Sequence, residues 1–222
     1  MDEKPRKSKR YSLAVLDPEW REKIFTSIRS DRLKIAVAVL SATGCRPSEI
    51  ENGVVVRLKD SQLQIGIQGS KVDKEAKRGQ PWRLLVVSDE TPWGCFLKQH
   101  TELTDNQLLK ISYDAAGISQ RLREKSREIW PRRKTLVSAY SYRHFICKSM
   151  KESGESIEKI ANTLGHASDF SQTVYGRAGS GKKTAGQHGI IAAGATDPVR
   201  HSPKTDRFSN TLNRYRGYQP GS

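Results

Sequence analysis

The sequence predicts an α+β domain that is mainly helical and carries a small three-stranded antiparallel sheet. Apolar residues recur at helical spacing over most of the chain, which predicts helices. The central residues 54–89 are instead rich in β-branched residues or alternate between apolar and polar ones, which predicts strands. A length of 222 residues with 35% hydrophobic content is enough for one domain, or for a domain with a tail.

The elements follow from local signals in chain order. Residues 17–19, Asp-Pro-Glu, are typical of a helix start, because they combine a capping residue, a proline in the first turn and an acid near the positive end of the helix dipole. An apolar face at helical spacing then begins at Trp20. The other predicted helices are 32–44, 45–50, 92–115, 117–129, 138–153, 156–164 and 168–175, and the predicted strands are 54–60, 62–71 and 83–89.

The charge of the chain is strongly positive and is concentrated in three stretches. The net charge is +15 and the pI is about 9.9, which favours a polyanionic partner. Residues 1–10 carry five Lys or Arg, 119–134 carry seven against two Glu, and 176–222 carry eight against two Asp. Within the middle stretch, the candidate DNA-binding residues are Arg121, Arg123, Lys125, Arg132, Arg133 and Lys134.

These features predict three parts of the chain: a basic N-terminal arm at 1–11, a catalytic domain at 12–176, and a basic tail rich in glycine and proline at 177–222. The tail lacks a core pattern over most of its length, so we expect it to be extended or disordered. No apolar run approaches ~20 residues and the charged N-terminus lacks the apolar core of a signal peptide. Three widely spaced cysteines favour a reduced cytoplasmic compartment, with no membrane partner.

The stretch GRAGSGKKT at 176–184 resembles a phosphate-binding loop but does not match one. In the pattern G-x-x-x-x-G-K-[ST] the hydroxyl residue follows the lysine directly, whereas here Lys183 stands in that place and Thr184 comes one residue late. The polar residues before Gly176 also differ from the buried strand that precedes such a loop. A glycine-rich basic linker is the interpretation that we adopt, and no nucleotide cofactor is expected.

Five side chains, far apart in the sequence, suit one chemical task, which is displacement at a phosphodiester without a metal ion. Arg46 and Arg143 can clamp the non-bridging oxygens and stabilise the charge that develops on them. Tyr175 can act as the nucleophile, and Lys71 can protonate the leaving oxygen. His166 completes the candidate catalytic set, for which no metal is expected.

The motifs that carry these residues resemble those of the tyrosine recombinase, or phage integrase, family over roughly residues 12–176. Arg46 lies in TGCRPSEI, like the first arginine of the family, and Lys71 lies in a predicted hairpin, like the catalytic lysine. Arg143 begins an R-H pair, His166 ends an L-G-H, and Tyr175 follows nine residues later. The interval of 23 residues from Arg143 to His166 also matches the family. The resemblance implies the tyrosine-recombinase catalytic fold.

Two positions leave alternatives open. The family box begins with histidine three residues before its arginine, whereas here Tyr140 stands in that place, on the same helical face as Arg143. Its phenol can donate a hydrogen bond to phosphate, or Tyr140 can be a packing residue. Lys74 and Lys77 share a loop with Lys71, so another lysine can be the proton donor.

The resemblance implies a site-specific DNA recombinase of the integrase or excisionase type, which cuts and rejoins double-stranded DNA through a 3′-phosphotyrosyl intermediate without metal or ATP. It further implies a homotetramer on two synapsed duplexes, and a monomer or weak dimer when free. Fewer than 20 residues precede the predicted domain, so a minimal recombinase and a fragment both remain possible. The alternatives in function are a type IB topoisomerase or telomere resolvase, and a catalytically silent DNA-binding protein.

Overall fold

The computed structural model describes residues 16–73, 75–76, 78–171 and 183–206. The helices lie at α1 (Trp20–Ser27), α2 (Asp31–Thr43), α3 (Pro47–Asn52), α4 (Pro92–Glu102), α5 (Ala115–Ile129), α6 (Ala139–Glu152) and α7 (Ile157–Leu164). The strands lie at β1 (Val54–Lys59), β2 (Gln62–Gln68), β3 (Trp82–Val87), β4 (Leu108–Ile111) and β5 (Ile190–Ala195).

The five strands form one antiparallel sheet in the order β4-β1-β2-β3-β5. Asp60 and Ser61 join β1 to β2, and both have positive φ angles, as the two-residue turns that match strand twist require. In β3 the residues alternate between exposed and buried, so one face of this strand points into the core. The sheet side chains share one hydrophobic cluster with apolar residues from all seven helices.

The prediction of three strands is correct for β1, β2 and β3, but the sheet has two further strands. One of them, β4, lies within the residues 92–115 that the sequence predicts as a single helix. That helix ends at Glu102 because the chain turns through 104–107, where the Thr104 hydroxyl accepts a hydrogen bond from the backbone N–H of Leu108 at 2.9 Å. Residues 108–111 then pair with β1.

The second additional strand, β5, belongs to the segment expected to be extended or disordered. Ile190–Ala195 pairs with β3, and the Ile190 side chain is buried in the core. The residues before β5 are fixed as well, because the buried Glu152 carboxylate accepts hydrogen bonds from the backbone N–H and the hydroxyl of Thr184, at 2.8 and 2.6 Å. The described residues 183–206 therefore pack against the predicted domain. Glycine and alanine fill most of β5, so its sequence lacks the usual strand pattern.

No helix in the part of the chain that the structure describes is long and apolar enough to cross a membrane.

Two neighbouring isoleucines test whether β5 contributes to the stability of the domain. Ile190 is 3% exposed and Ile191 is 58% exposed, although both lie on the same strand. Ile190→Ala should lower the free energy of unfolding by about 2–5 kcal/mol, because it removes buried methyl groups and leaves a cavity. Ile191→Ala is the matched control and should change stability by less than about 0.5 kcal/mol. Urea unfolding measures both, and equal small effects would contradict the packing of β5.

Candidate active site

Segments that are far apart in the sequence meet in one open cleft of about 630 Å³. The predicted residues Arg46, Lys71 and His166 all line this cleft. The other lining residues are Val72, Asp73, Ala76, Arg78, Gly79, Gly165, Ala167, Ser168, Ser171 and Arg200. Four cationic side chains and one carboxylate thus face the same space, which suits an anionic ligand such as a phosphodiester.

Arg46 is oriented by Glu49, the acidic residue of the R-P-S-E motif. Arg46 lies directly before α3, and its backbone N–H and its Nη1 each donate a hydrogen bond of 2.7 Å to the Glu49 carboxylate. The same carboxylate accepts two hydrogen bonds from Arg83 on β3, at 2.7 and 3.1 Å. Glu49 therefore connects two guanidinium groups, one half-buried at the cleft and one wholly buried behind it.

The arginines keep Glu49 ionised although it is fully buried. Burial alone would raise the pKa of its carboxyl, but the charge and hydrogen bonds of Arg83, together with the charge of Arg46, outweigh burial and lower the pKa to about 2. Glu49 is therefore a carboxylate at neutral pH. Its charge balances that of Arg83 inside the protein.

Arg83 is a residue of the site that sequence analysis missed. It is 2% exposed and its Nε donates a hydrogen bond to the backbone carbonyl of Thr163 on α7, at 3.0 Å. The sequence gives little signal for this role, because the strand WRLLVV is apolar at nearly every position and only the folded strand shows that Arg83 faces the core. A charged residue at such a position needs a buried partner of opposite charge.

Lys71 is held by the connection between β2 and β3. The Ser48 hydroxyl of α3 donates a hydrogen bond to the hydroxyl of Ser70 at 2.8 Å, next to Lys71. Gly79 has a φ of +71°, and a Cβ atom there would lie 2.1 Å from the carbonyl oxygen of Lys71. Only glycine fits at this position, so it allows the chain to close tightly against Lys71.

Arg143 lies behind His166 and joins three parts of the fold. Its side chain is buried, its Nη1 donates to the carbonyl of Gly44 at 3.2 Å, and its Nη2 donates to the carbonyl of Leu164. Nη2 also lies 2.9 Å from Nε2 of His166. Arg143 therefore connects the end of α2 to the L-G-H turn, and its guanidinium lies against the imidazole on the side away from the cleft lining.

The surroundings of His166 keep its imidazole neutral. Burial, and then the positive charges of Arg143, Arg46 and Arg83, lower the pKa of His166 from its ordinary 6.5 to about 2. Because the Arg143 guanidinium can only donate, Nε2 of His166 is the acceptor, and the proton of the neutral ring belongs on Nδ1. In this state His166 has no acidic proton to give at neutral pH.

The position directly before His166 requires glycine for two reasons. Gly165 ends α7 in the left-handed conformation, with φ of +66°. A Cβ atom there would lie 2.7 Å from Nη1 of Arg83. Glycine therefore provides the helix end and also leaves room for the buried guanidinium.

Three predicted catalytic residues are not among the described residues that line the cleft. Arg143, predicted to clamp the phosphate oxygens, is instead buried behind His166, where its side chain bonds to backbone carbonyls and to the imidazole. Tyr140 is half-buried in the first turn of α6, and it is not among the described residues that line the cleft. Tyr175, the predicted nucleophile, lies outside the described residues, as do Lys74 and Lys77. Of the helix predicted over 168–175, the described part is a short 3₁₀ turn at 169–171.

The predicted DNA-binding residues are on α5 and in the turn after it. The buried face of α5 carries Ile118, Leu122 and Ser126, so its basic side chains lie on the other faces. Arg121 and Lys125 form ion pairs along the helix with Glu124 and Glu128, at 2.9 and 2.6 Å. Arg123, Arg132 and Lys134 are exposed, and Nε of the half-buried Arg133 donates to the carbonyl of Thr135 at 2.6 Å.

No protein-family model matches the sequence, and no curated protein is similar enough in sequence to count as a match. Solved structures do match by fold. One is a crystal structure of XerA recombinase, with 22% sequence identity, a TM-score of 0.53, and coverage of 75% of this chain and 61% of that chain. Another is the XerH site-specific recombinase bound to palindromic difH substrate in a post-cleavage complex, with 17% identity, a TM-score of 0.51, and coverage of 72% of this chain and 48% of that chain.

These likenesses show the fold of tyrosine recombinases, as the resemblance in sequence predicts. The additional strands β4 and β5 are compatible with it. The chain spans 61% and 48% of the two recombinases that it matches.

Glu49→Gln tests the buried charge network. The substitution removes the negative charge but keeps the shape, so Arg83 is left buried without a charged partner. We expect the free energy of unfolding to fall by about 3–5 kcal/mol. Glu128→Gln is the control, because it breaks the exposed pair with Lys125 and should cost less than about 1 kcal/mol. Similar losses in urea unfolding would contradict the central role of Glu49.

The low pKa of His166 predicts a pH dependence of stability. In the unfolded state His166 binds a proton with a pKa of about 6.5, whereas in the folded state its pKa is about 2. Protonation therefore favours the unfolded state as the pH falls below 6.5, and the free energy of unfolding decreases. The slope should approach about 1.4 kcal/mol per pH unit below pH 6, and the loss between pH 6.5 and 4.5 should be about 2.3 kcal/mol.

His166→Gln should remove this part of the pH dependence, since glutamine keeps an acceptor for Arg143 but does not titrate. The control is His100→Gln on α4, outside the cleft, which should leave the pH dependence due to His166 unchanged. The measurement is urea unfolding at pH 6.5 and 4.5. An unchanged pH dependence in His166→Gln would show that the folded imidazole takes up a proton normally.

Proposed function

We propose that this protein is a tyrosine recombinase that cuts and rejoins double-stranded DNA by transesterification. The observation that carries the proposal is the cleft that brings Arg46, Lys71 and His166 together, with Arg143 directly behind His166. In the sequence these four residues stand in the order of the family motifs, and the interval of 23 residues from Arg143 to His166 is that of the family. The likeness in fold to two recombinases supports the same reading.

In the proposed reaction the hydroxyl oxygen of Tyr175 attacks the scissile phosphorus. A bond forms between the tyrosine oxygen and phosphorus as the hydroxyl proton passes to solvent, and the bond from phosphorus to the 5′ oxygen breaks with its electron pair going to that oxygen. The products are a 3′-phosphotyrosyl link and a 5′-hydroxyl strand end, and a 5′ hydroxyl from the partner duplex reverses the step. The bond energy is kept in the phosphotyrosyl link, so the reaction consumes neither ATP nor another co-reactant.

The cationic side chains supply the stabilisation. Arg46 is preorganised at the cleft by its two hydrogen bonds to Glu49, so it can meet the developing negative charge without first being ordered. Arg143 strengthens the positive potential at His166 from within the protein. In the neutral tautomer described above, His166 is a hydrogen-bonding group rather than an acid.

The proton for the leaving 5′ oxygen is assigned to Lys71. Its side chain is exposed at the cleft, and an ammonium group is a proton donor that can reach an oxygen bound there. His166, with a pKa of about 2, lacks a proton to give at neutral pH. Lys74 and Lys77 remain alternatives to Lys71 for this step.

Tyr140 and the basic residues of α5 have proposed roles in binding the DNA backbone. Tyr140 precedes Arg143 by one helical turn. A phosphate bound at the N-terminal end of α6 would therefore contact the phenol of Tyr140. The exposed basic residues of α5 and 132–134 are assigned to the sugar-phosphate backbone, which they would contact without reading the bases. Four protomers on two duplexes remain the assembly that the resemblance implies.

Tyr175→Phe tests the reaction directly. The substrate is DNA that flanks the gene, with a nick close to the cleavage site. After cleavage the short 5′-hydroxyl end dissociates and cannot rejoin, so the wild-type chain should remain covalently attached to the DNA. Tyr175→Phe keeps the ring but lacks the attacking oxygen, so the adduct should disappear while duplex binding stays within about two-fold of wild type. Denaturing gel electrophoresis measures the adduct, and a gel shift measures binding.

Tyr113→Phe is the matched control, because it removes the same hydroxyl from a half-buried tyrosine next to α5 and should still form the adduct. An adduct that persists in Tyr175→Phe would refute the assignment of the nucleophile. Duplex binding without any adduct in the wild-type chain would identify a catalytically silent DNA-binding protein instead.

A further inference from the structure

The chain returns to the cleft after β5. Residues 196–206, here called the return segment, run alongside the turn that follows His166. The backbone N–H of Arg200 donates to the carbonyl of Ala167 at 3.0 Å, and the backbone N–H of Asp169 donates to the carbonyl of Arg200 at 3.1 Å. Arg200 is thereby fixed within a few residues of His166, and its side chain lines the cleft.

Buried polar groups hold the return segment on the C-terminal side of Arg200. The Asp169 carboxylate, 7% exposed, accepts hydrogen bonds from the Thr205 hydroxyl at 2.8 Å and from the backbone N–H of Ser202 at 2.9 Å. His201 also lies between Asp169 and Asp206, with distances of 2.7 and 2.9 Å from its ring nitrogens to the carboxylate oxygens.

Gln80 holds the segment on the other side of Arg200. Its side chain is 1% exposed and exchanges two hydrogen bonds with the backbone of Asp197, at 2.9 and 3.0 Å. The same amide nitrogen lies 3.3 Å from the carbonyl of His166. Gln80 therefore ties the return segment and the L-G-H turn together, and the backbone of Arg200 is fixed from both directions.

We infer that Arg200 is a further substrate-binding residue, whose guanidinium binds a DNA phosphate in the cleft together with Arg46 and Lys71. The inference rests on the proposed function, since the cleft is the site proposed to hold DNA. An exposed arginine is usually only solvated, but this one has an anchored backbone and faces a space that three other cations line. The planar guanidinium matches the geometry of phosphate oxygens.

Lys204 offers a matched control on the same segment. It is exposed and carries the same charge, but it is not among the residues that line the cleft. The probe is a short fluorescein-labelled duplex of mixed sequence, and the readout is the slope of log Kd against log salt concentration for the full chain. Loss of one phosphate contact lowers the magnitude of this slope by about 0.9.

R200A and R200Q should each lower the slope by about 0.9, whereas K204A should leave it unchanged. R200K should keep the slope, because a lysine retains the single charge. Thermal unfolding of each variant identifies any that has lost its fold, and R200Q, which keeps a long polar side chain, then replaces R200A. If R200A and R200Q have the wild-type slope, or if K204A loses as much as they do, the inference is overturned.

The outcome separates this inference from the proposed function. A wild-type chain that forms the covalent adduct, while R200A and R200Q bind with the wild-type slope, would leave the recombinase proposal standing and remove Arg200 from the site. A wild-type chain that forms no adduct, while R200A and R200Q lose one contact and K204A loses none, would support Arg200 as a phosphate ligand and count against the chemistry. A wild-type chain that does not bind the duplex would overturn both.

Discussion

The carboxylate of Glu49 is the interaction on which the site depends, because it must neutralise Arg83 inside the protein while it orients Arg46 at the cleft. A buried guanidinium without a partner is costly, so the sheet residue Arg83 can be tolerated only where α3 brings its acid. In turn, Arg83 reaches the backbone of α7 and supports the turn that carries His166. One ion pair therefore fixes the relative positions of α3, β3 and α7.

The second constraint is the packing of the chain that follows the L-G-H turn. Glu152 holds Thr184, and Asp169 holds Ser202 and Thr205, so contacts on α6 and beside the cleft fix the chain on both sides of β5. These anchors include buried polar side chains, so hydrogen bonds as well as apolar packing define the path of the chain there. The cleft is thus bordered by residues from the first and the last parts of the described chain.

Much of the site could be predicted from the sequence, because Arg46, Arg143 and His166 stand in local motifs whose order and intervals are specific. The central strands were predictable for the same reason, since their alternation is local. The rest depends on pairing over long distances. Ile190 begins β5, which is mostly glycine and alanine. Its strand conformation depends on pairing with β3 more than on the residues of β5. The role of Arg83 likewise depends on its burial against Glu49. The sequence does not show that burial, because Glu49 lies far from Arg83 along the chain.

The position of β5 at the edge of the sheet affects the order in which the fold can form. Ile190 pairs with Val87, far earlier in the chain, so during synthesis β3 leaves the ribosome long before the strand that covers it. Until then β3 is an open edge whose backbone groups can pair with another chain, which is the usual route to aggregation of nascent sheets. Contacts between residues so distant in sequence also slow folding. Completion of the sheet is therefore expected to be a late event, and the cleft that the following residues border can form only after it.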